Sequence, residues 1–275
     1  MARGAGDADR RRGLSQVNVR SVALPVEHGG WSFLAEPLVL GLLVAPSAAG
    51  FAIAVATSAG FLIRHPGRMF WKNRQRLDVS PRYGLAGKFA AGYSLVAATG
   101  LATAWTLAGI RPLVPFIIAG PFFLLFAVYD VRHEARLLLP ELLAPAAVAV
   151  SAPAIALAGG WTAQAALVLW VLLVLRFIPT VLYIRARLRL ERDKPYEAAA
   201  SNTAHGTAVL AGGGLAGAGL APWLSVAGLG VLLVRAVVGL SRYHRPATAK
   251  VIGFSEVAYG SLFVLLTAVG YWILA

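Results

Sequence analysis

The stretch that decides the fold class is residues 162–184, which read TAQAALVLWVLLVLRFIPTVLYI. Arg176 is the only charged residue among these 23 positions. A helix needs about 20 consecutive, mainly apolar residues to cross the hydrocarbon core of a bilayer. The stretch therefore predicts a transmembrane helix, and it raises the question of what neutralises one arginine in its middle.

The rest of the chain has the same character. Hydrophobic residues make up 58% and charged residues 13%, and the mean hydropathy is +0.70. A soluble domain carries about 25% charged residues, so this composition excludes an ordinary soluble protein. We predict an all-α, polytopic transmembrane helix bundle with about nine spans. The predicted spans are residues 31–46, 48–64, 88–109, 112–130, 140–158, 162–184, 204–220, 222–240 and 254–274.

The basic residues predict an orientation for these spans. If the N-terminus is cytoplasmic, 22 of the 25 Lys and Arg residues fall in the tail and the cytoplasmic loops. Such a bias is typical of helices in the bacterial inner (cytoplasmic) membrane, and it places the C-terminus outside. Because the bases lie in loops between spans, the net charge of +13 indicates anionic lipid as a partner and argues against nucleic acid.

The two ends of the chain differ in composition. Residues 1–20 are polar and basic, which predicts a disordered cytoplasmic tail, and residues 21–275 form the predicted transmembrane helical domain. The chain has no cysteine, so disulfides, thiolate metal sites and cysteine nucleophiles are excluded.

Carboxylates are scarce in the predicted spans, and four of them are expected at the cytoplasmic ends: Glu36, Asp130, Glu141 and Glu256. A charge inside a bilayer is costly and often marks a functional site. We expect these four to share a polar cavity that opens to the cytoplasm, with separate pairing to nearby arginines as the alternative. Arg176, in contrast, has no evident acidic partner at its depth.

Two sets of residues are candidates for function. Residues that could handle protons or a cation are Glu27, His28, Glu36 and Glu256. Guanidinium groups form bidentate contacts with phosphate, and the arginines that could bind a substrate phosphate in this way are Arg64, Arg68, Arg185 and Arg189. In the same stretches, paired side chains and a membrane-surface segment would explain the charges without a substrate.

Several motifs resemble one family. They are LPVEHGGW at 24–31, the arginine-rich stretch after the second span, YIRARLR at 183–189 and GFSEVAYG at 253–260. With these motifs, nearly all of residues 21–275 is similar to the bacterial YwiC-like membrane proteins. The resemblance implies a membrane protein but carries no activity, cofactor or partner.

The predicted architecture also resembles that of the UbiA-type intramembrane prenyltransferases, which have nine spans and long polar loops after the second and sixth. In that superfamily both loops carry aspartate-rich motifs that hold magnesium and an isoprenyl diphosphate. The corresponding loops here contain Asp78 in the first, and Glu191, Asp193 and Glu197 in the second. Because the paired aspartates are missing, we expect no standard metal site.

Three functions stay open at this point. The first is binding or modification of an anionic isoprenoid or lipid phosphate at a cytoplasm-facing cavity. The second is a transporter or permease, and the third is a non-catalytic membrane scaffold. The residues leave open whether the protein is an enzyme, and they specify neither a cofactor nor an oligomeric state.

Overall fold

The computed structural model describes residues 19–24, 29–74, 81–132, 134 and 137–274. In this part of the chain the protein is helical throughout and contains no β-strand, which confirms the predicted all-α class. Most of the predicted tail, residues 1–18, lies outside the described residues, and the last two residues of that tail already belong to a short helix.

The helices follow one another with short connections. A 3₁₀ turn at Arg111–Leu113 leads into α5. The α-helices are α1 Val19–Ala23, α2 Gly29–Val44, α3 Ala48–Arg74, α4 Pro81–Ala108, α5 Val114–Val131, α6 Leu138–Val148, α7 Ser151–Ala158, α8 Ala163–Leu190, α9 Ala198–Gly217, α10 Trp223–Gly239 and α11 Ala249–Leu274.

Each of the nine predicted spans corresponds to helical structure in the described residues. Among the described residues, five stretches are long and apolar enough to cross a membrane, and α2 and α10 are shorter apolar helices. The fifth predicted span is two helices, α6 and α7, that meet at Ala149 and Val150. Pro153 explains this break, because proline lacks the N–H that would bond to the carbonyl of Ala149 and its ring crowds that carbonyl.

Helices α2 and α7 lie at the centre of the bundle and contribute to both of its large apolar cores. One core is formed by α7 together with the four helices α8, α9, α10 and α11, and α2 contributes Leu40 to it. The other joins Leu34 and Leu38 of α2 to α3, α4 and Ile155 of α7. A methyl group added at Gly41 would lie 2.9 Å from Cβ of Ile155, so the glycine lets α2 and α7 approach closely.

Helices α3 and α4 pack with their backbones in near contact. A Cβ added at Gly100 of α4 would lie 2.8 Å from the carbonyl oxygen of Ala52 on α3. Helix α5 packs less closely against the other helices. In the span Arg111–Asp130, only 11% of the most apolar 18-residue stretch is buried inside the protein.

The outer surface is apolar, as expected of a protein surrounded by lipid. Leu124 is 71% exposed, Leu210 78% and Phe254 62%. In water, so many large exposed apolar side chains would cause aggregation, whereas acyl chains are their matching solvent. The protein is therefore an integral membrane protein.

Candidate functional site

A cavity of 790 Å³ lies among α2, α3, α4, α5 and α6. Its walls are mainly apolar and rich in aromatic rings, including Phe33, Phe61, Phe116 and Phe123. Cavities of this size and character are typical of small-molecule and cofactor sites.

The cavity is long and runs beside α3. Its lining residues on that helix extend from Ala56 to Trp71, which is about 22 Å at 1.5 Å per residue. Gly60 lies on this wall, and a Cβ added there would meet no atom within 4 Å. The glycine therefore widens the cavity at this point.

Charged side chains gather in the half of the cavity nearer the C-terminus of α3, which we call the basic end: Arg64, Arg68 and Asp130. Arg64 donates from Nη2 to Oδ1 of Asp130 at 3.0 Å and from Nε to Oδ2 at 3.4 Å. Arg68 donates from Nη1 to Oδ1 of the same carboxylate at 3.2 Å. The guanidinium of Arg64 also lies 4.7 Å from the ring centre of Phe126. One carboxylate thus orients two guanidinium groups.

The two ends of the cavity suit the two ends of an amphiphile. Guanidinium groups bind phosphate or carboxylate oxygens through strong, charge-assisted hydrogen bonds. Burial of a hydrocarbon chain contributes about 0.8 kcal/mol per methylene. A ligand with an anionic head and an apolar tail would satisfy both ends at once.

A second polar site lies on the other side of α2. Glu36 of α2 and Arg176 of α8 form an ion pair with 3.0 Å between Oε1 and Nη2. Ser32 donates to the same Glu36 oxygen at 2.7 Å. Arg176 is 1% exposed and Glu36 is 5% exposed, so this pair is shielded from both lipid and water.

Three more helices join this cluster, which we call the buried ion network. Arg235 of α10 pairs with Glu256 of α11, and the Arg235 guanidinium lies 4.0 Å from the ring centre of Tyr183. His205 of α9 lies 3.0 Å from Nη2 of Arg235 through its Nε2, and its Nδ1 lies 2.8 Å from the carbonyl oxygen of Ser201. These contacts fit a neutral imidazole that donates from Nδ1 and accepts at Nε2.

Thr180 of α8 links the two ion pairs. Its hydroxyl oxygen accepts from Nη1 of Arg176 at 2.5 Å and from Nη2 of Arg235 at 3.5 Å. The four ionic side chains of the network carry two positive and two negative charges, which balance. Balanced and hydrogen-bonded charges are the form in which charge is tolerated inside a membrane protein.

The close approach of α11 to Glu36 and Arg176 depends on Gly260 of α11. A Cβ added there would overlap Oε1 of Glu36 and lie 2.8 Å from Nη2 of Arg176. Glycine therefore lets α11 pass beside the Glu36–Arg176 pair.

The four carboxylates do not share one cavity as the sequence predicted. Asp130 lines the cavity, and Glu36 and Glu256 belong to the buried ion network. Glu141 lies at neither site and pairs with Arg185. Each of the four carboxylates pairs with at least one arginine, as in the alternative. The expectation that Arg176 lacks an acidic partner is wrong, because Glu36 is that partner.

The residues that the sequence suggested for phosphate binding and for proton or cation handling also lie in different places. Arg64 and Arg68 line the cavity, whereas Arg185 and Arg189 are not among its lining residues, and Arg189 is exposed. Glu36 and Glu256 bind arginines in the network. Glu27 and His28 lie outside the described residues. The predicted part of Glu27, His28, Glu36 and Glu256 in handling protons or a cation stays a prediction.

Sequence reasoning did not single out His205, Thr180 or Tyr183 as site residues. The available signal was Arg235 and Arg176, two arginines inside predicted spans. A buried arginine requires polar neighbours from other helices, so every polar residue at a matching depth was a candidate partner.

One of the comparisons with known proteins supports a family. Residues 24–156 match the family model of the YwiC-like proteins, which confirms the resemblance over that part of the chain. The matched residues include all helices that line the cavity and end before α8. No curated protein and no solved structure matches the chain, so the similarity to UbiA-type proteins stays a prediction.

Proposed function

We propose that this YwiC-like membrane protein binds an amphiphile with an anionic head, such as a lipid or isoprenoid phosphate, in the cavity among α2 to α6. The observation that carries the proposal is the combination of a long aromatic and apolar cavity with Arg64 and Arg68 at one end. The head would contact the guanidinium groups, and the tail would lie along α3 toward Ala56.

The predicted orientation of the protein supports this pose. The basic end lies toward the C-terminus of α3, which is cytoplasmic if the N-terminus is inside. A lipid of the cytoplasmic leaflet has its head at that surface and its tail toward the bilayer centre. Such a ligand would enter the cavity in the orientation that it already has in the cytoplasmic leaflet.

The proposal concerns binding first. Chemical modification of the ligand would need Glu27, His28, Glu36 or Glu256 to reach it. Because Glu36 and Glu256 are held by arginines in the network, we place their contribution in the stability of the bundle. Binding and modification are therefore separate questions.

Native mass spectrometry of the detergent-purified protein would test the proposal. Dioleoylphosphatidylglycerol and geranylgeranyl phosphate are added in turn, with the zwitterionic dioleoylphosphatidylcholine, which has no net charge, as the reference. We expect both anionic amphiphiles to bind and Arg68→Gln to weaken them about tenfold, since it removes a charge-assisted contact. The control Arg242→Gln removes an exposed arginine that contacts Tyr243 and should retain binding.

The double variant Arg185→Gln/Arg189→Gln tests the other predicted pair of phosphate-binding arginines. A loss as large as that of Arg68→Gln would place the head between the two arginine pairs. Equal binding of the anionic amphiphiles and of zwitterionic phosphatidylcholine by the wild-type protein would refute the proposal.

A transporter is the second candidate, because the buried ion network lies near the middle of the bundle. Arg176 is about 20 Å from either end of α8. Transporters commonly have polar sites near the bilayer centre. Uptake of labelled solutes into proteoliposomes, compared with a Glu256→Gln variant, would test it, and absence of flux across a broad solute panel would exclude it.

A further inference from the structure

The basic end contains a negative charge as well as positive ones. Asp130 is 6% exposed; its Oδ1 accepts hydrogen bonds from both Arg64 and Arg68, and its Oδ2 accepts one from Arg64. The carboxylate belongs to α5, whereas both arginines belong to α3. A headgroup that reaches the arginines must therefore lie close to Asp130 as well.

This placement affects anions according to their charge. Each negative charge on a headgroup is attracted by the guanidinium groups and repelled by the carboxylate. The formal charges of Arg64, Arg68 and Asp130 sum to +1, so one negative headgroup charge balances them, and each further charge adds repulsion from Asp130 and from the rest of the headgroup. An apolar wall on the remaining sides weakens the screening of that repulsion.

We propose that Asp130 sets the headgroup charge of the ligand, so that the cavity prefers an amphiphile with a single negative charge, a phosphodiester lipid, to a diphosphate. This inference rests on the proposed function, because it concerns the ligand of the same cavity. It assigns to Asp130 a role in specificity in addition to orienting the two arginines.

The rest of the lining agrees with this assignment. A diphosphate head is usually bound with a divalent cation held by several carboxylates. Within the described ranges, no group of three or more His, Cys, Asp or Glu residues could hold a metal ion. The site that the described residues form is thus suited to a head of low charge.

Competition experiments in detergent would test the inference. The probes are dioleoylphosphatidylglycerol with one negative charge, dioleoylphosphatidic acid with a second ionisable proton, and geranylgeranyl diphosphate without added metal. For the wild-type protein we expect the phosphatidylglycerol to bind most strongly. In Asp130→Asn the ratio of diphosphate to phosphatidylglycerol affinity should rise by about tenfold or more, because one repulsive charge is removed.

Two further variants make the result specific. Asp130→Glu keeps the charge and should keep the wild-type preference, which separates charge from a change in packing. Glu197→Gln removes an exposed carboxylate at the start of α9 and should leave the ratio unchanged.

Stronger binding of the diphosphate than of the phosphatidylglycerol by the wild-type protein would overturn the inference and leave the proposed function intact. An unchanged ratio in a folded Asp130→Asn protein would also overturn it. If Asp130→Asn does not fold, the wild-type order of affinities decides alone. Failure of all three anionic probes to bind better than phosphatidylcholine would instead refute the proposed function itself.

Discussion

Glu36 and Arg176 are 140 residues apart in the sequence and form an ion pair inside the helix bundle, with 3.0 Å between Oε1 and Nη2. The pair connects α2, which touches the cavity through Gly30, Phe33 and Leu34, to α8. It is one half of a balanced network whose other half is Arg235 and Glu256. The network and the cavity therefore share α2 as a common wall.

The first prediction concerns this pair. Glu36→Gln should lower the free energy of unfolding by about 3 kcal/mol, because it leaves the buried Arg176 without its counter-charge. The double variant Glu36→Gln/Arg176→Gln should lose less than the sum of the two single variants, with a coupling of about 1–3 kcal/mol. Unfolding in sodium dodecyl sulfate measures these values. Glu141→Gln is the control, since its partner Arg185 is 38% exposed, and it should change stability by less than about 1 kcal/mol.

The second prediction concerns the glycine beside the network. Gly260→Ala should destabilise the protein by about 1–3 kcal/mol, because the new methyl group overlaps Glu36 and Arg176. Gly253→Ala on the same helix is the matched control, since its Cβ would meet nothing within 4 Å. Alanine favours a helix over glycine by about 1 kcal/mol, so the control should be neutral or stabilised. Equal stability of the two variants in thermal unfolding would contradict the geometry.

The third prediction concerns the hydroxyl between the two arginines. Thr180→Val keeps the shape of the side chain and removes the acceptor that Arg176 and Arg235 share. We expect a loss of about 1–3 kcal/mol, the usual cost of leaving buried donors unsatisfied. Thr180→Ser keeps the oxygen and should retain most of the stability. A valine variant as stable as the serine variant would show that the hydroxyl contributes nothing.

The fourth prediction concerns the width of the cavity. Gly60→Leu should place a side chain in the cavity, because Gly60 lines it and an added Cβ meets no atom within 4 Å. The variant should keep wild-type thermal stability and lose amphiphile binding about tenfold or more. Gly213→Leu, an equally open position on α9, is the control and should bind normally. Normal binding by the Gly60→Leu protein would exclude the cavity as the binding site.

The sequence predicted the helices well because the signal for them is local. Residues 163–184 of the predicted span lie inside α8, with Thr162 as its N-cap, and the predicted span 112–130 corresponds to the 3₁₀ turn and α5. The ends were less accurate where a helix continues past its apolar part. Helix α8 runs on to Leu190 and α4 begins at Pro81, because charged residues outside the hydrocarbon layer do not interrupt a helix. Orientation in the membrane stays a prediction from the basic residues.

The sites were predicted only in part, because they depend on contacts between distant segments. Arg64 and Arg68 were selected for their chemistry, and the structure places both at one cavity with Asp130. The partner of Arg176 could not be predicted, since charge patterns do not reveal how helices rotate and pair. The four membrane carboxylates looked alike in sequence, yet helix packing gives them three different surroundings.

The close packing at Gly100 has a mechanical consequence for the cavity. Because the backbones of α3 and α4 are in near contact there, these two helices should move together as one rigid unit. Little of α5 is buried inside the protein, so this wall of the cavity should be displaced more easily than α3 and α4. Ligands with tails of different thickness should therefore be accommodated by outward tilting of α5, hinged where Arg64 and Arg68 bind Asp130. The cavity would then have one fixed wall, formed by α3 and α4, and one movable wall, formed by α5.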